Sequence, residues 1–296
     1  MSTPQFYACE YSAQMGEQLF ATAPRTESWL LLEYPRAWAG KAYEDSSIPP
    51  DVKAHIGDAL AQMPHSRLQM IAQGSRESLT DLTLYVIHAA WDAQHIRRFT
   101  LPTYEALLNL PLADIAAGRV ELGEAVNKPL YIVCTNGKRD VCCARHGLPI
   151  YNALRAVGAQ AWQCNHIGGH RLAGTLVAFP HGVYYGRVTP EDVPALLAAV
   201  SHGEMLLEHV RGRACLEAVA QAAEQFVRQQ TDVLALDAFQ PPIITATDGG
   251  WQAVFAERHG QTAHSVAFKE TMTAFDIINN SAEPGGKPGV MYEFGI

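Results

Sequence analysis

Residues 129–170 read PLYIVCTNGKRDVCCARHGLPIYNALRAVGAQAWQCNHIGGH, and the order of elements in this stretch decides the fold. PLYIVCT (129–135) is a short continuous apolar run, as expected of a strand buried on both faces. GLPIYNALRAVGA (147–159) has helical spacing, opened by a proline and ended by a glycine. AWQCNHI (161–167) reads as a second strand. If the two strands are parallel neighbours, the loops that follow them reach the same end of the sheet, where α/β folds place their sites. One loop carries Cys134, Cys142 and Cys143; the other carries His166 and His170.

Two histidines four apart would share a face on a helix. Here two adjacent glycines intervene, and each costs about 1 kcal/mol relative to Ala in a helix interior. His166 and His170 are therefore expected on a tight loop, with Gly168 and Gly169 letting the backbone curl so that both imidazoles converge. No Glu lies between them, so the histidine-glutamate metalloprotease motif is absent. Two thiolates and two imidazoles in one place admit three chemistries. One is a tetrahedral structural zinc, although the C-x8-C spacing is wider than that of a zinc knuckle. Another is a two-iron, two-sulfide cluster, which spans more space and tolerates long ligand loops. The last is thiol redox chemistry at the vicinal pair Cys142–Cys143, which needs a strained bridge. The residue types alone leave Cys142 and Cys143 equal as ligands.

The rest of the chain gives this unit its setting. Its 296 residues exceed one ordinary domain, and 48% hydrophobic with 18% charged residues describe a globular protein with a substantial core. A formal charge of -8 provides no basic surplus for nucleic acid or an anionic membrane surface. No stretch has the length of a membrane span, and MSTPQFYACEYSAQ lacks the pattern of a signal peptide, so a cytoplasmic protein is expected. In that reducing compartment a disulfide framework is not expected. SWLLLEYP (28–35), RLQMIAQ (67–73), LTLYVIHAA (82–90) and HIRRFTL (95–101) read as strands, PPDVKAHIGDALAQM as a helix after the first, and LPTYEALLNL (101–110) as a helix after the last. Downstream of HIGGH, TLVAFPHGVYYGRV (175–188) is a hairpin and TPEDVPALLAAV (189–200) a helix capped by Thr189. The two passes share one order, strand, helix, three strands, helix, which reads as a degenerate duplication. The chemistry-bearing set occurs only in the second. RGRACLEAVAQAAEQFVRQQ then gives an amphipathic helix, WQAVFAER and HSVAFKE a hairpin, and SAEPGGKPGVMYEFGI a tail of loop composition.

CTNGKRDVCCARHG followed by HIGGHRLAGTLVAFPHGVYYGRV resembles the sucrase/ferredoxin-like family of thioredoxin-like [2Fe-2S] proteins. The resemblance extends to LFATAPRTESWLLLEYPRAW and covers roughly residues 10 to 230. It implies an α/β fold: a thioredoxin-like ferredoxin domain at 119–202, preceded by a degenerate thioredoxin-like copy at 1–118 and followed by a small α+β unit at 203–296. It further implies a [2Fe-2S] cluster ligated by Cys134, Cys143, His166 and His170, with H-x3-H in place of the C-x3-C of related ferredoxins. The family pattern favours Cys143 over Cys142. A non-catalytic electron carrier with separate reductase and acceptor proteins follows, with no nucleic-acid or membrane partner. The "sucrase" label finds no support, since no carboxylate pair for glycoside hydrolysis stands out.

The ligand swap has an electronic meaning. An oxidised cluster with four thiolates carries a net charge of about -2, and two neutral imidazoles bring it to about zero. The potential rises accordingly, as the Rieske comparison shows: about -150 to +300 mV against roughly -400 mV for plant-type ferredoxins. The second imidazole nitrogen can gain or lose a proton, which links potential to pH. Around the ligands, Lys138, Arg139 and Arg171 are expected to stabilise negative charge and Asp140 to orient the cysteine loop. Cys164 is expected as a small packed residue, His146 as a surface histidine at a helix start, His181 as an exposed hairpin tip, Cys9 and Cys215 as unpaired thiols, and Trp29 and Trp38 as core or interface aromatics.

Overall fold

The computed structural model describes residues 6–74 and 81–295. After a short helix α1 (Ala8–Gln14), the first half runs β1 (Ser28–Glu33), α2 (Pro50–Gln62), β2 (Ser66–Ala72), β3 (Leu82–Ala89) and β4 (Gln94–Leu101). A single-turn helix α3 (Leu112–Ala116) and a two-residue strand β5 (Glu124–Ala125) lead into the second half. That half runs β6 (Leu130–Cys134), α4 (Val141–Ala156), β7 (Ala161–Cys164), β8 (Leu176–Phe179), β9 (Val183–Tyr185) and α5 (Val193–Ser201). Strand β10 (Val210–Arg213) and helix α6 (Ala218–Thr231) follow, then β11 (Ile243–Thr247), β12 (Gly250–Ala256), β13 (Ala263–Ile278) and β14 (Gly286–Phe294).

The fold is α/β with a mixed sheet. Ten strands form one sheet in the order β10-β9-β8-β6-β7-β2-β1-β3-β4-β5. Each half has the same internal pattern: β1 lies parallel to β2 and antiparallel to β3, and β6 lies parallel to β7 and antiparallel to β8. The halves meet where Ile71 and Ala72 of β2 pair antiparallel with Cys164 and Gln163 of β7. The sheet curls, because Trp29 of β1 contacts the rings of Phe179 and Tyr184, at centroid distances of 5.3 and 5.9 Å, across several intervening strands. Helix α2 covers one half and α4 with α5 the other, each over its own apolar cluster. The third cluster, on the shared inner face, contains Trp29, Ile71, Trp162 and Tyr184 together with Cys134, Cys143 and Cys164. Both β1 and β6 are buried at every position, as continuous apolar runs require.

Several expected elements differ. The segment 101–110 forms a 3-10 helix over Tyr104–Asn109 rather than an α-helix. Helix α4 starts at Val141, six residues before the proline-based expectation, and carries Pro149 inside. The cause is Asp140, whose side chain caps the helix by accepting from the Cys142 amide at 2.9 Å. The start of the expected amphipathic helix is instead strand β10, completing the sheet edge beside β9. A buried ion triad ties α6 to this strand: Glu224 accepts from Arg228 at 2.8 Å and from Arg213 at 3.5 Å. The C-terminal hairpin is the centre of a four-stranded antiparallel sheet, and the tail expected as loop supplies its edge strand β14. Glycine and proline masked the alternation there. Among the described residues no helix is long and apolar enough to cross a membrane.

Candidate metal centre

The βαβ geometry brings the two loops together. Cys134, the last residue of β6, lies in register with Cys164 on the parallel neighbour β7, so the segments after both strands leave from one end of the sheet. Helix α4 returns tightly over that end: a Cβ at Gly147 would stand 2.0 Å from the Cys134 carbonyl oxygen, so only glycine allows the approach. Cys143, in the first turn of α4, thereby reaches Cys134. Both thiols are buried. Hydrogen bonding from Cys143 holds Cys134 well below the ordinary thiol range, with His166 adding to the effect, while Cys143 itself is pushed up and keeps its proton.

His166 turns its Nδ1 onto this pair, 3.9 Å from the Cys134 Sγ and 3.7 Å from the Cys143 Sγ. The ligand atoms of Cys134, Cys143 and His166 all lie within 4.8 Å of one another. The chain then passes through left-handed backbone at Gly168 (φ 95°) and Gly169 (φ 73°) and brings the His170 ring to 4.9 Å from that of His166. Among the described residues neither ring nitrogen of His170 has a hydrogen-bond partner, although both are buried. Such groups are costly in a protein interior unless something accepts or ligates them. Burial, followed by the neighbouring His166, lowers the His170 pKa to about 4, so the imidazole is a neutral base at physiological pH, the form that metal ligation requires. The orphaned imidazole and the Cys-Cys-His trio fit a metal or metal cluster in donor chemistry.

Asp140 is a structural hub of the centre. Its buried carboxylate accepts from the Cys142 amide, from the Ser281 amide at 2.9 Å and from the Ser281 hydroxyl at 3.0 Å. Its Oδ2 stands 3.8 Å from His170 Nε2. Arg171 is anchored by Glu17 at 2.6 Å and by Asn279 at 2.8 Å, so the loop joining β13 to β14 folds back over the histidines. Lys138 and Arg139 are exposed, and neither pairs with a carboxylate among the described residues. Lys138 lies at a cleft of about 560 Å³ that also contains Arg36, Trp38, Thr135 and Gln163.

Sequence reasoning missed two guanidiniums. Arg211 Nη1 donates to the Gly168 carbonyl at 2.9 Å, and Arg67 Nη2 donates to the His166 carbonyl at 3.1 Å. Burial lowers the Arg211 pKa to about 10. Their distance along the chain from HIGGH hid both, and the expectation of a helix starting at Arg211 concealed the strand that carries it. The cysteine expectations also need correction. Cys9 and Cys142 form a disulfide between α1 and the start of α4, so Cys9 is not a free thiol and Cys142 is not paired with Cys143. His146 packs against that bridge, its Nε2 3.5 Å from Cys9 Sγ, and burial lowers its pKa. His181 is half-buried rather than exposed, and burial lowers its pKa to about 4. Cys164 and Cys215 are buried free thiols.

Comparison with known proteins matches residues 19–212 to the family described as Sucrase/ferredoxin-like. A protein of Meyerozyma guilliermondii named "Altered inheritance of mitochondria protein 32" is 32% identical over 99 residues, covering 29% of this chain and 35% of that protein. Its namesake from Eremothecium gossypii is 27% identical over 113 residues, covering 33% and 36%. The chain thus spans little more than a third of the length of these relatives. Their names refer to mitochondria, which corrects the expectation of a cytoplasmic protein. Among solved structures, a thioredoxin-like [2Fe-2S] ferredoxin from Aquifex aeolicus is similar with a TM-score of 0.27 and 18% identity, over 30% of this chain and 94% of that one.

Proposed function

Because the chain belongs to the sucrase/ferredoxin-like family, we propose that it is an electron carrier whose [2Fe-2S] cluster is held by Cys134, Cys143, His166 and His170. The observation that carries this reading is His170: a buried, neutral imidazole with both nitrogens unpartnered, beside a Cys-Cys-His trio that already presents three donors. When bound, the cluster supplies one-electron redox chemistry. The chain's own residues bury the thiolates, aim the imidazoles and hold the loops in place. Asp140 Oδ2 lies 3.8 Å from His170 Nε2, beyond hydrogen-bond reach here, and would be placed to orient that ring once it ligates, as carboxylates do for ligating histidines. The matching strand order of the two halves supports residues 1–118 as a degenerate copy of the thioredoxin-like unit at 119–202, with 203–296 as the added α+β unit. The carrier role calls for a separate reductase and acceptor.

One observation favours a second reading. Separations of 3.7–3.9 Å between His166 Nδ1 and the two sulfurs also suit the edges of a single tetrahedral zinc site. Metal analysis separates the two. Protein purified without oxygen is expected to contain about two irons and two sulfides per chain and to be reddish, as [2Fe-2S] ligation requires. One zinc in a colourless protein, after reconstitution with iron and sulfide has failed, defeats the cluster reading.

Two imidazole ligands also make the potential depend on pH. The imidazole nitrogens of His166 or His170 not bound to iron would take up a proton more readily when a bound cluster carries one more negative charge, so the potential would fall as pH rises. Protein-film voltammetry between about pH 6 and about pH 9 tests this. A flat profile there removes the proton-linked role of the histidines.

A further inference from the structure

The histidine loop is held by more positive charge than the residues around it neutralise. Arg211 is 1% exposed, and its side-chain hydrogen bonds among the described residues all end on neutral oxygens: Thr22 Oγ1 at 3.0 Å, the Thr22 carbonyl at 2.7 Å and the Gly168 carbonyl at 2.9 Å. Arg67 donates to the His166 carbonyl at 3.1 Å and to the Tyr184 hydroxyl at 3.4 Å. Arg211 also stacks over the Tyr184 ring, 5.4 Å from its centroid, so one tyrosine lies against both guanidiniums. Neither arginine forms an ion pair with a carboxylate among the described residues. Arg171, the third cation of the loop, is ion-paired with Glu17 at 2.6 Å. A buried cation without a counter-ion is costly, and a guanidinium keeps its proton in proteins. Apart from Cys134, a ligand whose charge the cluster already includes, and Asp140, which the Cys142 and Ser281 amides hold, the two guanidiniums have no counter-ion of their own among the described residues.

We propose that Arg67 and Arg211 are positioning residues that fix the carbonyls of the histidine loop and raise the reduction potential of the centre. The inference rests on the [2Fe-2S] reading. On reduction one electron would enter from an external one-electron donor, and at a pH where no proton accompanies it the net charge of a cluster with neutral imidazoles would go from about zero to about -1 with no bond formed or broken. That charge is what the two guanidiniums lack. They stabilise the reduced form over the oxidised one, in a medium where charges interact more strongly than in water. Gly169 keeps the arrangement close, since a Cβ there would stand 2.6 Å from Arg211 Nη2. Arg171, Lys138 and Arg139 are less suited to the role, the first being neutralised by Glu17 and the others exposed.

The test is a dithionite titration of the iron-loaded protein, with iron counted in every sample. Arg67→Gln and Arg211→Gln are each expected to disfavour reduction at least tenfold, a fall of 59 mV for one electron. Arg67→Lys should recover most of the shift, and Arg155→Gln, on the exposed end of α4, should show none. If Arg67→Gln loses the cluster while Arg67→Lys keeps it at the wild-type potential, the charge requirement is upheld. Loss in both, or two irons with an unchanged potential in both glutamine variants, overturns the inference and leaves the cluster reading standing. Wild-type protein that binds no iron overturns both.

Discussion

Changing Cys143 to alanine removes the iron and the colour; changing Cys142 leaves both in place and makes the protein easier to unfold. Adjacent residues of one helix point about 100° apart, and the two thiols have different neighbours. Cys143 points onto Cys134 and His166. Cys142 is covalently joined to Cys9, and its sulfur also lies 3.5 Å from the Ser281 hydroxyl. The bridge closes a loop with a sequence separation of 133, and losing such a native link costs roughly 2–5 kcal/mol. Iron content and a urea midpoint, measured on Cys142→Ala and Cys143→Ala side by side, decide the matter. Equal iron loss in both variants would mean that Cys142 serves the metal, and the ligand set would have to be redrawn.

Gly169→Ala is expected to damage the fold and the centre together. Its backbone lies in the left-handed region at φ 73°, which costs an alanine roughly 1–3 kcal/mol. The added methyl would also press on Arg211, whose guanidinium is pinned by Thr22 and Gly168 and has little room to retreat. Overpacking of this kind adds roughly 1–3 kcal/mol. Gly158→Ala is the control, because its φ of 76° carries the same backbone strain with nothing within 4 Å of the added Cβ. Urea midpoints should fall modestly for Gly158→Ala and about twice as far for Gly169→Ala, with iron lost only from the second. Equal falls with iron retained would mean that the Arg211 contact does not constrain the loop.

The parts of this molecule that local pattern controls were legible in the sequence. The apolar runs 28–33 and 130–134 are strands, and the paired glycines of HIGGH do turn the loop that brings the imidazoles together. Asp140 stood out as an orienting residue, but its helix cap moved the start of α4 into the cysteine loop, beyond what the proline at 149 suggested. What stayed hidden is long-range. Cys9 reaches Cys142, Arg211 reaches Gly168 and Ser281 reaches Asp140 through tertiary packing, and no spacing rule links such distant residues. The tail at 281–296 was obscured by composition: glycines and prolines weaken a strand's own propensity, and pairing with the long β13 restores it.

The Ser281 contacts have a temporal side. Its hydroxyl accepts from the Ala8 amide, 273 residues earlier, and donates to Asp140, while its amide donates to the same carboxylate. A nascent chain that has emerged only as far as β12 has all four candidate ligands outside the ribosome, yet Asp140 still waits for two of its donors. At about 5–20 residues per second the interval lasts seconds, long enough for the half-built centre to meet water, oxygen or a stray metal ion. Closure of the site thus comes after its ligands have been made, and the loop that performs it works as a clasp fastened after the contents are in.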